Sequence, residues 1–160
     1  MSGFLSPIRA EDLSDGYCRK LLEDIVYHVG DKDSLDKITI PAGFVTDGGS
    51  VPRPLWGIVS PWGKASKPYI LHDWLYHTQQ RSRLVSDAIL MEAMEVVGVN
   101  WFQRKLIHSG VRIGGWVAWN GHTKENKKRR LHEESSAGDV NANSNVECVK
   151  GEGGGGAGTA

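Results

Sequence analysis

The chain has 160 residues, 39% of them apolar, and its 19 basic side chains are matched by 19 acidic ones. That length supports a single core rather than two full-sized domains, and zero formal charge removes any global field as an argument for nucleic acid. Cys18 and Cys148 lie far apart at a spacing that suggests neither a zinc site nor a disulfide framework, so a reducing compartment is expected.

The opening stretch, MSGFLSPIRAEDLSDG, has early charges and no apolar run of signal-peptide length, and nowhere is there a span of about 18 apolar residues that would cross a membrane. Two runs then read as strands, residues 24–29 (DIVYHV) and 37–45 (KITIPAGFV). The turn-rich GDKDSLD between them implies a hairpin or meander, with Pro41 at an edge or bulge.

The next stretch, FVTDGGSVPRPLWG, puts an acid, a hydroxyl and an arginine beside a glycine pair. Asp47 can cap its own turn, with Gly48 and Gly49 taking backbone angles that other residues avoid. The functional alternative has Asp47, Ser50 and Arg53 facing the following helix, Arg53 taking a phosphate or carboxylate of a substrate. No nucleophile-elbow pattern surrounds Ser50. Residues 56–68, broken by Gly, Ser and Pro, read as an extended loop.

Three helices follow. Pro68 suits a first helical turn, and helical periodicity runs to Thr78. Ser86 is a candidate N-cap for a helix over 87–97, which Gly98 ends. The third spans 100 to about 119 and mixes tryptophans with Arg104, Lys105 and Arg112 and with Gly110 and Gly114. Such a mixture fits a surface lying at a lipid interface, or tryptophans that close a core while glycines let helices approach. From Lys124 the sequence turns polar and glycine-rich, so residues 122–160 are expected to be a disordered tail behind one domain of residues 1–121. The expected class is α+β, a small antiparallel sheet or hairpin followed by three helices.

On a helical wheel Leu71, Trp74, Leu75 and Thr78 share the core face of the first helix, with His72 at its edge and Tyr76 one turn on. Asp73 and His77 form a second pair on the more exposed side. In the second helix Asp87 falls on the apolar stripe of Leu90, Met91 and Met94, while Glu92 and Glu95 point away. An acid on an apolar stripe needs a partner, and the short QQRSRL connection makes the two helices antiparallel neighbours. Asp87 could then fix the tautomer of His72 and leave its other nitrogen as a base, with Tyr76 holding the carboxylate. Two readings weigh against this: a helix dipole favours an acid in a first turn, and boundary histidines are commonly packing residues. Register also opposes the pairing, because His72 is about two turns from its helix end while Asp87 begins its own.

Taken in order, GFVTDGGSVPRPLW, ILHDWLYH and SDAILMEAMEVVGVNWFQRKL resemble the blocks of a family of small proteins of unknown function encoded by bacteriophages and prophages, the domain of unknown function 1353 family. The resemblance covers residues 38–119. It implies phage origin, one compact α+β domain, and a place in the host cytoplasm during infection or in the virion. HDWLY followed by SDAILMEAM is also similar, more weakly, to the two-helix signature of secreted and parvoviral phospholipases. By that likeness His72 would activate water, Asp87 would orient it, Tyr76 would support the carboxylate, and Asp73 would ligate calcium with Asp47 and the backbone of Gly48 and Gly49. The glycine-and-cysteine calcium loop and the disulfides of those enzymes have no counterpart here, and the interval from His72 to Asp87 is shorter. The leading expectation is a His-Asp hydrolase acting on host envelope lipid. The alternatives are a non-enzymatic virion, tail or morphogenesis component that binds other phage structural proteins, or an inhibitor of a host factor.

Overall fold

A computed structural model gives the architecture; it describes residues 3–5, 7–13, 18–47 and 63–136, with side chains as far as residue 130. Two small antiparallel sheets and three helices make up an α+β fold. In the first sheet β4 (Ile25–His28) pairs with β5 (Lys37–Ile40), placing Ile25 opposite Ile40 and Tyr27 opposite Ile38. Period-two alternation turns all four inward. β1 (Gly3–Phe4) lies along the other edge of β4. The second sheet has the order β2 (Ala10–Asp12), β3 (Arg19–Leu21), β6 (Val45–Thr46). Cys18 is buried just before β3.

The run 37–45 is therefore two strands in two sheets. Pro41 has no N–H for a ladder, the Ala42 N–H donates instead to Asp24 Oδ1 at 2.8 Å, and Gly43 turns at φ 87°. β6 is thereby delivered beside β3.

α1 (Ser66–Thr78) carries Ile70, Leu71 and Leu75 against the sheets, where they meet Leu21, Ile25, Tyr27, Ile38 and Ile40. α2 (Arg83–Val96) adds Ile89 and Ala93 to that core. Its other apolar residues, Leu90 and Met94, join Tyr69 and Val99 in a second cluster, onto which Leu106, Ile107 and Val111 of α3 (Trp101–Ser136) pack. Burying each large aliphatic side chain contributes about 1.5–3 kcal/mol before entropy is counted. Glu92 does not point away from the body: it accepts from the Tyr27 hydroxyl at 2.7 Å and from the Gly30 N–H at 2.9 Å, fastening α2 to the hairpin.

α2 begins one turn earlier than Ser86 suggests. Ser82, with extended ψ of 154°, is the cap and accepts from the Val85 N–H at 3.4 Å, whereas Ser86 lies inside the helix and donates to the Ser82 carbonyl. The connection from α1 turns at Gln79, a non-glycine residue at φ 53°, whose N–H closes α1 on the Leu75 carbonyl. Its side-chain amide donates to the Trp119 carbonyl and to Thr123 Oγ1, 2.9 and 2.8 Å away.

α3 continues well past residue 121, so the stretch 122–136, expected in the disordered tail, is helix. Its Lys, Glu and Arg residues are good helix formers, and Asn126 secures the added turns by donating to the His77 carbonyl at 2.8 Å. Residues 137–160 lie outside the described residues.

Candidate active site

Because α2 starts at Arg83, Asp87 sits in its second turn rather than its first, and the register objection to its meeting α1 disappears. His72 Nε2 lies 3.0 Å from Asp87 Oδ1, and the Tyr76 hydroxyl donates to the same oxygen at 2.7 Å. On the other carboxylate oxygen, Arg112 of α3 donates from Nη1 to Oδ2 at 2.9 Å. One carboxylate, 1% exposed, thus receives donors from both neighbouring helices. The His72, Asp87 and Tyr76 constellation read from sequence is assembled.

Burial works to raise the Asp87 pKa, but the hydrogen bonds from His72, Tyr76 and Arg112 outweigh it and hold the acid at about 2. An ionised Asp87 accepts only, so His72 presents Nε2–H to it and keeps its lone pair on Nδ1. The imidazole is 13% exposed, and burial lowers its pKa, with the nearby His108 acting in the same direction and Asp87 opposing. His72 is therefore neutral at pH 7, with one basic nitrogen. The Tyr76 pKa is raised by burial and by its bond to Asp87, which keeps the hydroxyl a donor.

Packing holds the constellation in place. The His72 and Tyr76 rings touch at 4.1 Å between centroids, and Trp119 meets Tyr76 edge-on at 5.1 Å. Gly115 is the point of closest approach, since a Cβ there would stand 2.7 Å from the Tyr76 hydroxyl. Gly110 and Gly114, the glycines that sequence reading singles out for helix approach, face open space. Arg112 and Gly115 are the site residues that reading the helix pair alone does not find. Their signal is a stripe on α3, Arg112, Gly115, Trp119, His122 and Asn126, at alternating spacings of three and four.

On the opposite side of α1, Asp73 turns towards β6. Burial and the like charge of Asp47 push its pKa up to about 7, while a hydrogen bond from the Thr46 side chain pulls it down. The two carboxylates proposed as metal ligands are thus neighbours. Among the described residues no group of three or more His, Cys, Asp or Glu could hold a metal ion. Ser50, Arg53, Gly48 and Gly49 lie outside the described residues. His77 does not pair with Asp73; it packs among Phe44, Trp74 and His122.

The model of a family described as a protein of unknown function (DUF1353) matches residues 19–111, from β3 through the first turns of α3. No match was found among curated proteins or among solved structures.

Proposed function

The chain belongs to the DUF1353 family, and we propose that it is a small hydrolase in which His72 is the general base and Asp87 its orienter, acting on ester bonds of envelope phospholipid. The observation that carries this reading is the shared oxygen, Asp87 Oδ1, held by His72 Nε2 at 3.0 Å and by the hydroxyl of Tyr76, one helical turn on. This arrangement resembles the helix-pair site of secreted phospholipases. His72 Nδ1 would take a proton from water as the water oxygen attacks the ester carbonyl. The same proton would then go to the departing alkoxide, leaving acid and alcohol as products. Asp87 stays ionised throughout and steadies the imidazolium.

Asp73, Asp47 and the Thr46 hydroxyl supply the kind of hard oxygen donors that calcium takes, and a cation there would offset both the burial of Asp73 and its repulsion by Asp47, which raise its pKa. A bound cation would stabilise the developing oxyanion of the substrate.

A second reading rests on Arg112. A carboxylate already neutralised by an arginine and saturated with donors serves as a staple between three helices, as a non-enzymatic virion component or an inhibitor of a host factor would need. Substitution separates the two. His72→Ala leaves Tyr76 and Arg112 on Asp87, so it is expected to cost only about 1 kcal/mol. On the hydrolase reading His72→Ala and Asp73→Asn abolish calcium-dependent fatty acid release from phospholipid micelles while both variants remain folded. If wild type releases no fatty acid and calcium does not raise its melting temperature, the staple reading replaces it.

A further inference from the structure

Among the described residues, part of the surface of α3 is left uncovered. Phe102, Ile113, Trp116 and Val117 are each 61–83% exposed. At about 100° per residue they fall within an arc of about 120°. Continuing along the same arc, the next turns bring Lys124, Lys127 and Lys128, all exposed. Between residues 101 and 130 the sequence holds eight Lys or Arg and one acid, Glu125, which lies on another side of the helix beside Arg129. Eight of the chain's 19 basic side chains thus lie along one helix, beside the exposed rings of Phe102 and Trp116.

We infer that this face is a docking surface for an anionic lipid bilayer, on which α3 lies with Ile113, Trp116 and Val117 in the headgroup region and the lysine turns against lipid phosphate. Three observations select this occupant. Exposed aliphatic and aromatic side chains interleaved along one arc match an interface-lying helix, whereas a nucleic acid would leave Ile113 and Val117 without a use. The lysines complement an anionic surface and would repel the same face of a second copy. No helix of the described residues is long and apolar enough to cross a membrane, so the fitting mode is to lie on it. The docking surface itself stands on α3 and does not depend on the chemistry of His72.

The test is cosedimentation of the full chain with phosphatidylcholine vesicles containing or lacking phosphatidylglycerol. Binding is expected only to the anionic vesicles and should weaken as salt is raised. Ile113→Ser with Val117→Ser, and separately Lys124→Glu with Lys127→Glu and Lys128→Glu, should each reduce partitioning about tenfold or more. All five side chains are exposed, and unchanged circular dichroism would verify that the fold is kept. His72→Ala should bind as wild type does, so failure of the hydrolase reading would not disturb this result. Absence of binding to anionic vesicles overturns the proposal, as does equal binding by the variants. Tighter binding to a single-stranded oligonucleotide overturns it too, as does a concentration-dependent dimer, abolished by the serine variants, without vesicle binding.

Discussion

Asp87 and Asp73 are the same kind of side chain in one helical hairpin, both withdrawn from water, yet their protonation is driven in opposite directions. Asp87 faces inward between helices and meets an imidazole, a phenol and a guanidinium, which keep it ionised at about 2. Asp73 faces β6, where burial and then the like charge of Asp47 push it up to about 7 against a single hydrogen bond from Thr46. Burial raises the pKa of both acids, and the two part because only Asp87 has donors enough to overcome it. A satisfied carboxylate fixes helix positions. One left beside a like charge is set up to bind a proton or a cation instead.

Removing the better satisfied acid should do the most damage. Asp87→Asn sets an amide among three donors and leaves at least one of the bonds from His72, Tyr76 and Arg112 unmade; with Arg112 37% exposed, water screens its lost countercharge, and a loss of about 2 kcal/mol in denaturant unfolding is expected. In wild type, with Asp87 depressed below its ordinary value of 3.8, its contribution is complete above about pH 4 and fades as the pH falls towards 2. An intermediate effect of opposite sign is expected at the other acid. With its folded pKa raised, Asp73 opposes folding progressively as pH rises from about 4 through 7, so with chelator present Asp73→Asn should gain about 1–2 kcal/mol at pH 8 and almost nothing at pH 4. Should Asp73→Asn destabilise at pH 8 instead, the contrast between the two acids is broken. The smallest effect sharpens the inner site. Tyr76→Phe removes one of three donors and should cost about 1 kcal/mol. Gly115→Ala, which pushes the same hydroxyl aside, should cost less because alanine improves the helix. Combining the two should add little, and full additivity in thermal melts would show that Gly115 acts elsewhere.

Much of this arrangement was legible from residue order. Alternation located Ile25 and Tyr27, helical periodicity located α1, and the acid on an apolar stripe identified Asp87 and its His72 and Tyr76 partners. The α+β class followed from those elements. β1, β2 and β3 were hidden because GF, AED and RKL are too short to display a period. The continuous apolar look of residues 37–45 concealed a change of sheet, since only Pro41 and Gly43 mark it. At α2, Ser82 and Ser86 stand one turn apart and either can cap; the choice fell to the earlier one, and with it the register that lets Asp87 meet His72. Arg112 belongs to a third element, and its approach depends on packing that the helix pair alone does not encode. The helical turns beyond residue 121 look polar and tail-like, yet Asn126 and Gln79 hold them to the hairpin.

Gln79 has a consequence beyond ending a helix. A left-handed backbone costs a side-chain-bearing residue about 1–2 kcal/mol, and glycine would avoid that cost. Glycine, however, has no side chain with which to grip Trp119 and Thr123 of α3, as the Gln79 amide does. Together with the grip of Arg112 on Asp87, roughly two turns earlier along α3, this makes two points of attachment on one rod, which can then neither roll nor slide. The hairpin turn acts as an indexing pin: it sets the angular phase of α3, and so determines which row of side chains the molecule shows to its surroundings.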